Sequence, residues 1–351
     1  MALSGSKDFT VTRDDIIESA LKIIGVYDAG EAVPAAETTD AAQRLNLIAK
    51  EWTTEGIQMP LREKDVLFLN YGKQRYRLGN VGTTGAQDNM HFCTALSFKE
   101  NAIVTTAAVA TDTVIKCTDT LWKDYEGNTV TKDATADDTL SVGIRLDDKT
   151  IHWSTQSSET TNTITIADQM PSNGAAAIGN KIYTYLTANR QPRPTKILYA
   201  FRQDTGGSDS QVDIVGRIEY ERLSQKTSPG AVTKIHYSPR VSGFGSIADG
   251  DSAGDLYVWP VKNPLNVDKL FMVCEHYIDD FDIGTNHISL PVEYGNALIW
   301  GLASELSYEY GVDRDLRREI KAIAEDKKDT ILNGYDVENA SFQMAREMTG
   351  R

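Results

Sequence analysis

The stretch TTDAAQRLNLIAKEWTTEGI, Thr38 to Ile57, sets Ala42, Leu45, Ile48, Ala49 and Trp52 three and four residues apart, one stripe on a helix of 3.6 residues per turn. Thr39 reads as its N-cap, Asp40 suits the positive end of the helix dipole, and Gly56 supplies a stop. Upstream, Thr12-Arg13-Asp14-Asp15 announces a first helix through Ile16, Ile17, Ala20, Leu21 and Ile24 to Gly25. Two such amphipathic helices form a hairpin whose apolar faces need further partners.

Beyond Pro60 the period changes to two. Val66-Leu67-Phe68-Leu69 and Gln74-Arg75-Tyr76-Arg77-Leu78, separated by Asn70-Tyr71-Gly72-Lys73, read as a β-hairpin. From about Gly85 to Ala188 the composition turns to Thr, Ser, Ala, Asp and Val. Strand-length segments Ala102–Thr106, Thr113–Cys117, Ser141–Leu146, Thr150–Ser154, Thr163–Ile166 and Lys181–Tyr185 are divided by turn signals. Trp122, Tyr125, Trp153 and Tyr183 supply the apolar anchors that a disordered linker lacks. After Pro192 and Pro194 come a strand at Thr195–Phe201, a short helix at Ile218–Leu223 and strands at Val232–Tyr237, Asp255–Val261 and Lys269–Ile278. Pro291 opens a long helix striped by Tyr294, Leu298, Leu302 and Leu306, and Asp313 caps another with Leu316, Ile320, Ile323 and Ile331 inward.

The expected fold class is therefore α+β: a helical bundle formed by N- and C-terminal helical hairpins, with β-hairpins and an inserted all-β domain of sandwich or barrel type. The expected boundaries are 1–84 and 189–334 for the two parts of the core, 85–188 for the insert, and 335–351 for a C-terminal tail. Deleting Gly85–Ala188 is expected to leave a folded helical core.

The chain has 351 residues and a formal charge of -14, which argues against a basic groove that wraps nucleic acid over most of its surface. An acidic wall instead lets a duplex slide past. Cys93, Cys117 and Cys274 are far apart and show neither disulfide nor zinc-knuckle spacing. No stretch approaches the ~18 apolar residues of a membrane span, and the N-terminus carries no secretory signal.

Catalytic, cofactor and metal sites are expected to be absent. His91, His152, His236, His276 and His287 fall in no metal-binding pattern, and Gly243-Phe244-Gly245 reads as a flexible turn. The run Asp249 to Asp255 resembles a calcium loop, but Ala253 holds its fifth position and Pro260 stands where the bidentate Glu belongs. The carboxylates Glu275, Asp279, Asp280 and Asp282 offer a glycosidase-type pair, and the competing reading is a solvated turn after a strand. Trp52, Trp259 and Trp300 read as core or interface anchors.

Several blocks together resemble a known family. Thr12–Ile17 with Ile24-Gly25, Leu45-Asn46-Leu47 through Trp52–Ile57, Tyr220–Lys226 before Pro229-Gly230, Leu256–Pro260, Leu290–Tyr294 through Leu302-Ala303, and Glu309-Tyr310-Gly311 are similar to head-to-tail adaptor (connector) proteins of short-tailed bacteriophages. In the insert, Gly143–Asp148, His152–Thr155 and Ile182–Tyr185 look alike too. The resemblance implies a structural virion protein without catalytic activity, assembled in the host bacterial cytoplasm. It would form a homo-oligomeric ring, a dodecamer, below the phage portal protein. That ring would extend the DNA channel, retain the genome without sequence-specific contact, and attach tail nozzle, hub or fibre proteins. It gives the C-terminal tail a portal-binding role, with Tyr335, Val337, Phe342, Met344 and Met348 as the apolar anchors. The alternatives from other classes are a peptidoglycan-degrading tail enzyme using the acidic run and a carbohydrate- or receptor-binding module in the insert.

Overall fold

The computed structural model describes residues 9–334 apart from 29, 56–60, 80–90, 119–121, 125, 130–139, 161, 204–207, 240–252, 264–268, 286 and 288–289. The described helices are α1 (Arg13–Ile23), α2 (Ala35–Glu55), α3 (Arg217–Arg222), α4 (Glu293–Glu309) and α5 (Arg314–Gly334). The chain divides into two compact units, Met1–Leu61 with Tyr277–Arg351, and Arg62–His276.

The first unit is helical. Thr12 caps α1 through a capping box, its side chain accepting from the Asp15 amide while the Asp15 carboxylate accepts from the Thr12 amide at 3.0 Å. Helix α2 starts a turn earlier than its sequence suggests. The Thr39 hydroxyl donates back to the Ala35 carbonyl at 2.8 Å, so Thr39 lies inside the helix and the chain enters it just after Pro34. Helix α4 buries Tyr294, Ala297, Leu298, Leu302, Ala303 and Leu306, and α1, α2 and α5 all pack on it. Asn46 Oδ1 accepts the Phe281 amide at 2.8 Å and Lys50 pairs with Asp280 at 2.7 Å, fixing the segment before α4 onto α2.

The second unit is almost all β. Its eight-stranded sheet contains β1 (Arg62–Phe68), β2 (Arg75–Leu78), β3 (Phe92–Thr94), β10 (Lys196–Gln203), β11 (Asp209–Ile214), β13 (Lys234–Ser238), β14 (Gly254–Trp259) and β16 (Lys269–Glu275). They run in the order β2-β14-β13-β11-β10-β16-β1-β3. A six-stranded sheet follows the order β4-β9-β6-β7-β8-β5, from β4 (Lys99–Ile103), β5 (Val114–Lys116), β6 (Leu140–Arg145), β7 (Ile151–Thr160), β8 (Thr163–Ile166) and β9 (Lys181–Leu186). Two short strands, β12 (Pro229–Gly230) and β15 (Val261–Lys262), pair separately.

The helical bundle expected from the two hairpins is corrected. The fold is α+β, but strand makes up about 34% of the described residues and the frame is a nearly closed, barrel-like sheet. In the helical unit α1 and α2 pack more extensively on α4 than on each other, because α4 buries residues on several faces and serves as their common core. Leu316, expected inward on α5, is 42% exposed, while Ile320 is buried.

The first β-hairpin is corrected as well. β1 pairs with β16 and β3, whereas β2 pairs with β14 near the opposite end of the sheet. Only the short connection Leu69–Gln74 joins them, so the sheet curls to bring its ends together. The connection is pinned from several sides. The Asn70 amide donates to the Tyr76 hydroxyl at 2.8 Å, Lys262 Nζ donates to the Leu69 carbonyl at 3.1 Å, and the Ile151 amide donates to Asn70 Oδ1 at 2.9 Å.

Three apolar layers hold this unit. Leu67, Leu69, Leu256, Leu270 and Met272 belong to the barrel's core. Val142, Ile144, Ile164 and Ile182 fill the core of the six-stranded sheet. Between them, Val66, Phe68, Phe201 and Phe271 meet Phe98, Ile151, Trp153, Tyr183 and Tyr185. The period-two alternation of β1, β6 and β9 thus buries both faces, each against a different layer.

Candidate functional site

A cleft of about 470 Å³ opens where the Leu69–Gln74 connection faces the start of β7. Asn70, Tyr71 and Lys73 come from the connection, Thr150 to Trp153 from β7 and the turn before it, and Leu146 and Pro171 from neighbouring turns. Its inner wall is His91, 7% exposed, stacked on Trp153 with centroids 3.6 Å apart and planes 5° from parallel. Gly143 opposes Trp153 across the β6–β7 pair, where a side chain's Cβ would stand 2.7 Å from the indole. Only glycine leaves room for the ring there.

A polar chain orients His91. Its Nδ1 lies 2.8 Å from the Tyr185 hydroxyl, that oxygen accepts from Arg190 Nε at 3.2 Å, and Arg190 also donates to the Ser141 hydroxyl at 3.2 Å. His91 Nε2 is buried without a hydrogen-bond partner. Burial above all, and then the charges of Arg190 and Lys73, hold His91 well below the ordinary histidine range. Burial pushes the Tyr185 hydroxyl up to about 12.

His91 therefore makes an acid-sensitive contribution to folding. Its depressed value in the folded chain leaves stability intact above 6.5, the ordinary value. As pH falls below it, the unfolded chain takes a proton that the folded chain refuses, a loss of up to about 1.4 kcal/mol per pH unit. Urea unfolding of the parent and of His91→Gln at about pH 7.5 and pH 5.5 checks this. The parent should lose more stability between the two pH values than the variant, and equal losses would contradict the assignment.

A second buried polar pair lies in β1 and just beyond β16. Asp65, fully buried, holds His276 Nε2 at 2.8 Å, with the Cys274 thiol beside it. Burial outweighs the hydrogen bond from His276 and raises the Asp65 carboxyl above 3.8. A carboxyl raised in this way contributes stability that is full below its unfolded value and is lost as pH rises through the folded one. Asp65→Asn removes that dependence. Its stability relative to the parent should rise between about pH 4 and pH 8 in denaturant titrations, and a constant difference would refute the assignment.

The other sequence candidates are dispersed. Glu275 pairs with Arg62 at 3.0 Å, Asp255 with Arg75 at 2.7 Å and Asp280 with Lys50, each a structural ion pair. Most of the Asp249–Asp255 run, the Gly243-Phe244-Gly245 turn and Tyr335, Val337, Phe342, Met344 and Met348 lie outside the described residues. His91 and His152 line one cleft although 60 residues separate them, and their spacing carried no signal of it. Cys93, Cys117 and Cys274 are buried free thiols. Among the described residues no cluster of three or more His, Cys, Asp or Glu could hold a metal ion, and no helix is long and apolar enough to cross a membrane. Comparison with families of known proteins and with curated protein sequences finds no match to this chain.

Proposed function

We propose that this chain is a structural virion protein, the head-to-tail adaptor of a short-tailed bacteriophage. Copies of it form a dodecameric ring beneath the portal, lengthen the DNA channel, retain the packaged genome and offer a platform to the tail nozzle, hub or fibre proteins. The observation that carries this reading is the meeting of distant sequence blocks. The family-like segments near Thr12–Gly25, Leu45–Glu55 and Leu290–Gly311 lie far apart in the chain, yet they supply one helical core around α4.

The remaining features are compatible with that role. An acidic chain of formal charge -14 suits a conduit through which DNA moves without sequence-specific contact. Of the four carboxylates weighed for an enzyme, Glu275 and Asp280 are engaged in ion pairs with Arg62 and Lys50. Residues 335–351 are assigned to the portal, with Tyr335, Val337, Phe342, Met344 and Met348 as its anchors.

Native mass spectrometry of the chain, alone and mixed with the purified portal ring of the same phage, tests the reading. A discrete complex with a fixed copy number per portal, lost on removal of Tyr335–Arg351, is the expected outcome. Failure of the intact chain to bind the portal would overturn it.

A further inference from the structure

Helix α5 sorts its charges by face. Ile320 is buried and Ile331 packs on the helical core, which marks the side of the helix turned to α4. At 3.6 residues per turn, Arg314, Arg317, Arg318 and Lys321 fall along one flank of that apolar side. Asp315, Glu319, Asp326 and Asp329, with Ala322 among them, fall three and four residues apart along the other flank. Glu325 lies beyond the basic flank and meets Lys321 at 3.8 Å.

Both flanks face solvent. Arg314, Arg318 and Lys321 are exposed, and so are the acidic residues of the other flank. Arg318 comes only within 3.7 Å of Asp315, and among the described residues no other ion pair engages the acidic flank. Arg317 is held elsewhere: its guanidinium lies over the Tyr308 ring at 4.7 Å and donates to the Val312 carbonyl at 2.7 Å. Carboxylates three and four residues apart repel along a helix, and cations brought against them from outside relieve that repulsion. The same helix carries such cations on its opposite flank.

Charge sign also selects the manner of contact. Pairing a flank with its own copy about a two-fold axis sets like charges together, on the acidic and on the basic flank alike. Setting the basic flank of one copy against the acidic flank of the next sets opposite charges together. This head-to-tail form leaves a flank of each sign free at the ends of a row, and it closes into a ring when the rotation between copies permits.

We propose that α5 joins neighbouring copies of this chain, with Arg314, Arg318 and Lys321 of one copy against Asp315, Glu319 and Asp326 of the next. The inference rests on the ring function proposed above and names the surface that builds the ring. Exposed charges of this kind decide which faces meet, and their effect fades as salt rises.

The test uses the full chain and two variants, followed by native mass spectrometry and sedimentation with and without the portal ring. Arg314→Glu with Arg318→Glu and Lys321→Glu makes both flanks acidic, and Asp315→Lys with Glu319→Lys and Asp326→Lys makes both basic. The parent should assemble in a salt-sensitive manner, and each variant alone should associate at least about tenfold more weakly while keeping the parent's far-UV circular dichroism. An equimolar mixture of the two variants should recover assembly with equal numbers of each, a result that loss of the fold does not produce. Assembly of either variant at the parent's strength, or no recovery in the mixture, would overturn the inference and leave the ring function standing. A parent chain that stays monomeric and joins the portal in no fixed number would overturn both.

Discussion

Removal of residues 85–188 with the ends rejoined is expected to spare the far-UV helix signal of α1, α2, α4 and α5 but to destroy the barrel-like sheet. The deleted segment contains more than the six-stranded sheet. It includes β3, which pairs with β1 through Asp65, Val66 and Leu67. It also carries Phe98, Ile151, Trp153, Tyr183 and Tyr185, the largely aromatic layer over Val66, Phe68, Phe201 and Phe271. Without that layer the outer wall of the barrel becomes an apolar patch on an unpaired edge, a surface that binds other chains. Loss of near-UV circular dichroism, strong binding of an apolar dye and association on size exclusion are the expected readings. A monomeric product with a cooperative unfolding transition for its β-structure would show that the barrel folds without this cover.

Trp153→Ala is expected to be among the most damaging single substitutions in the β unit, costing about 3–5 kcal/mol in urea unfolding, the usual range for a large aromatic removed from a core. The indole is 7% exposed and stacks on His91, while Phe68 and Tyr185 meet it edge-on at 5.0 and 5.6 Å. Gly143 leaves its space only to this ring, so alanine opens a cavity that the backbone opposite cannot fill. Trp153→Phe should restore part of the loss by refilling some of the volume. A cost below about 1 kcal/mol for the alanine variant would mean that the layer is not a cooperative part of the fold.

Much of the local structure was legible in the sequence, because each element depends on neighbours a few residues away. Thr12 and Asp15 make a capping box from a four-residue signal, and β6, β8 and β9 fall within a residue or two of their period-two segments. The start of α2 was not legible, since Thr39 has the chemistry of a cap and also that of a helical residue bonding back to Ala35.

Pairing was beyond the sequence for a different reason. The run through Asn70-Tyr71-Gly72-Lys73 is compatible with a hairpin, and only the competition for partners sends β1 to β16 and β2 to β14. Strand pairing is non-local, and its outcome depends on which faces other segments bury. The cleft follows from the same competition. Alternation along β7 could place Trp153 and His152 on opposite faces, but nothing in the spacing of five scattered histidines could stack His91 on Trp153. The sequence by itself determined the helices, the capping box of α1 and most strands. The closure of the barrel, the aromatic layer and the stacking of His91 on Trp153 were decided by tertiary structure, where residues far apart in the chain share one volume and one set of hydrogen-bond partners.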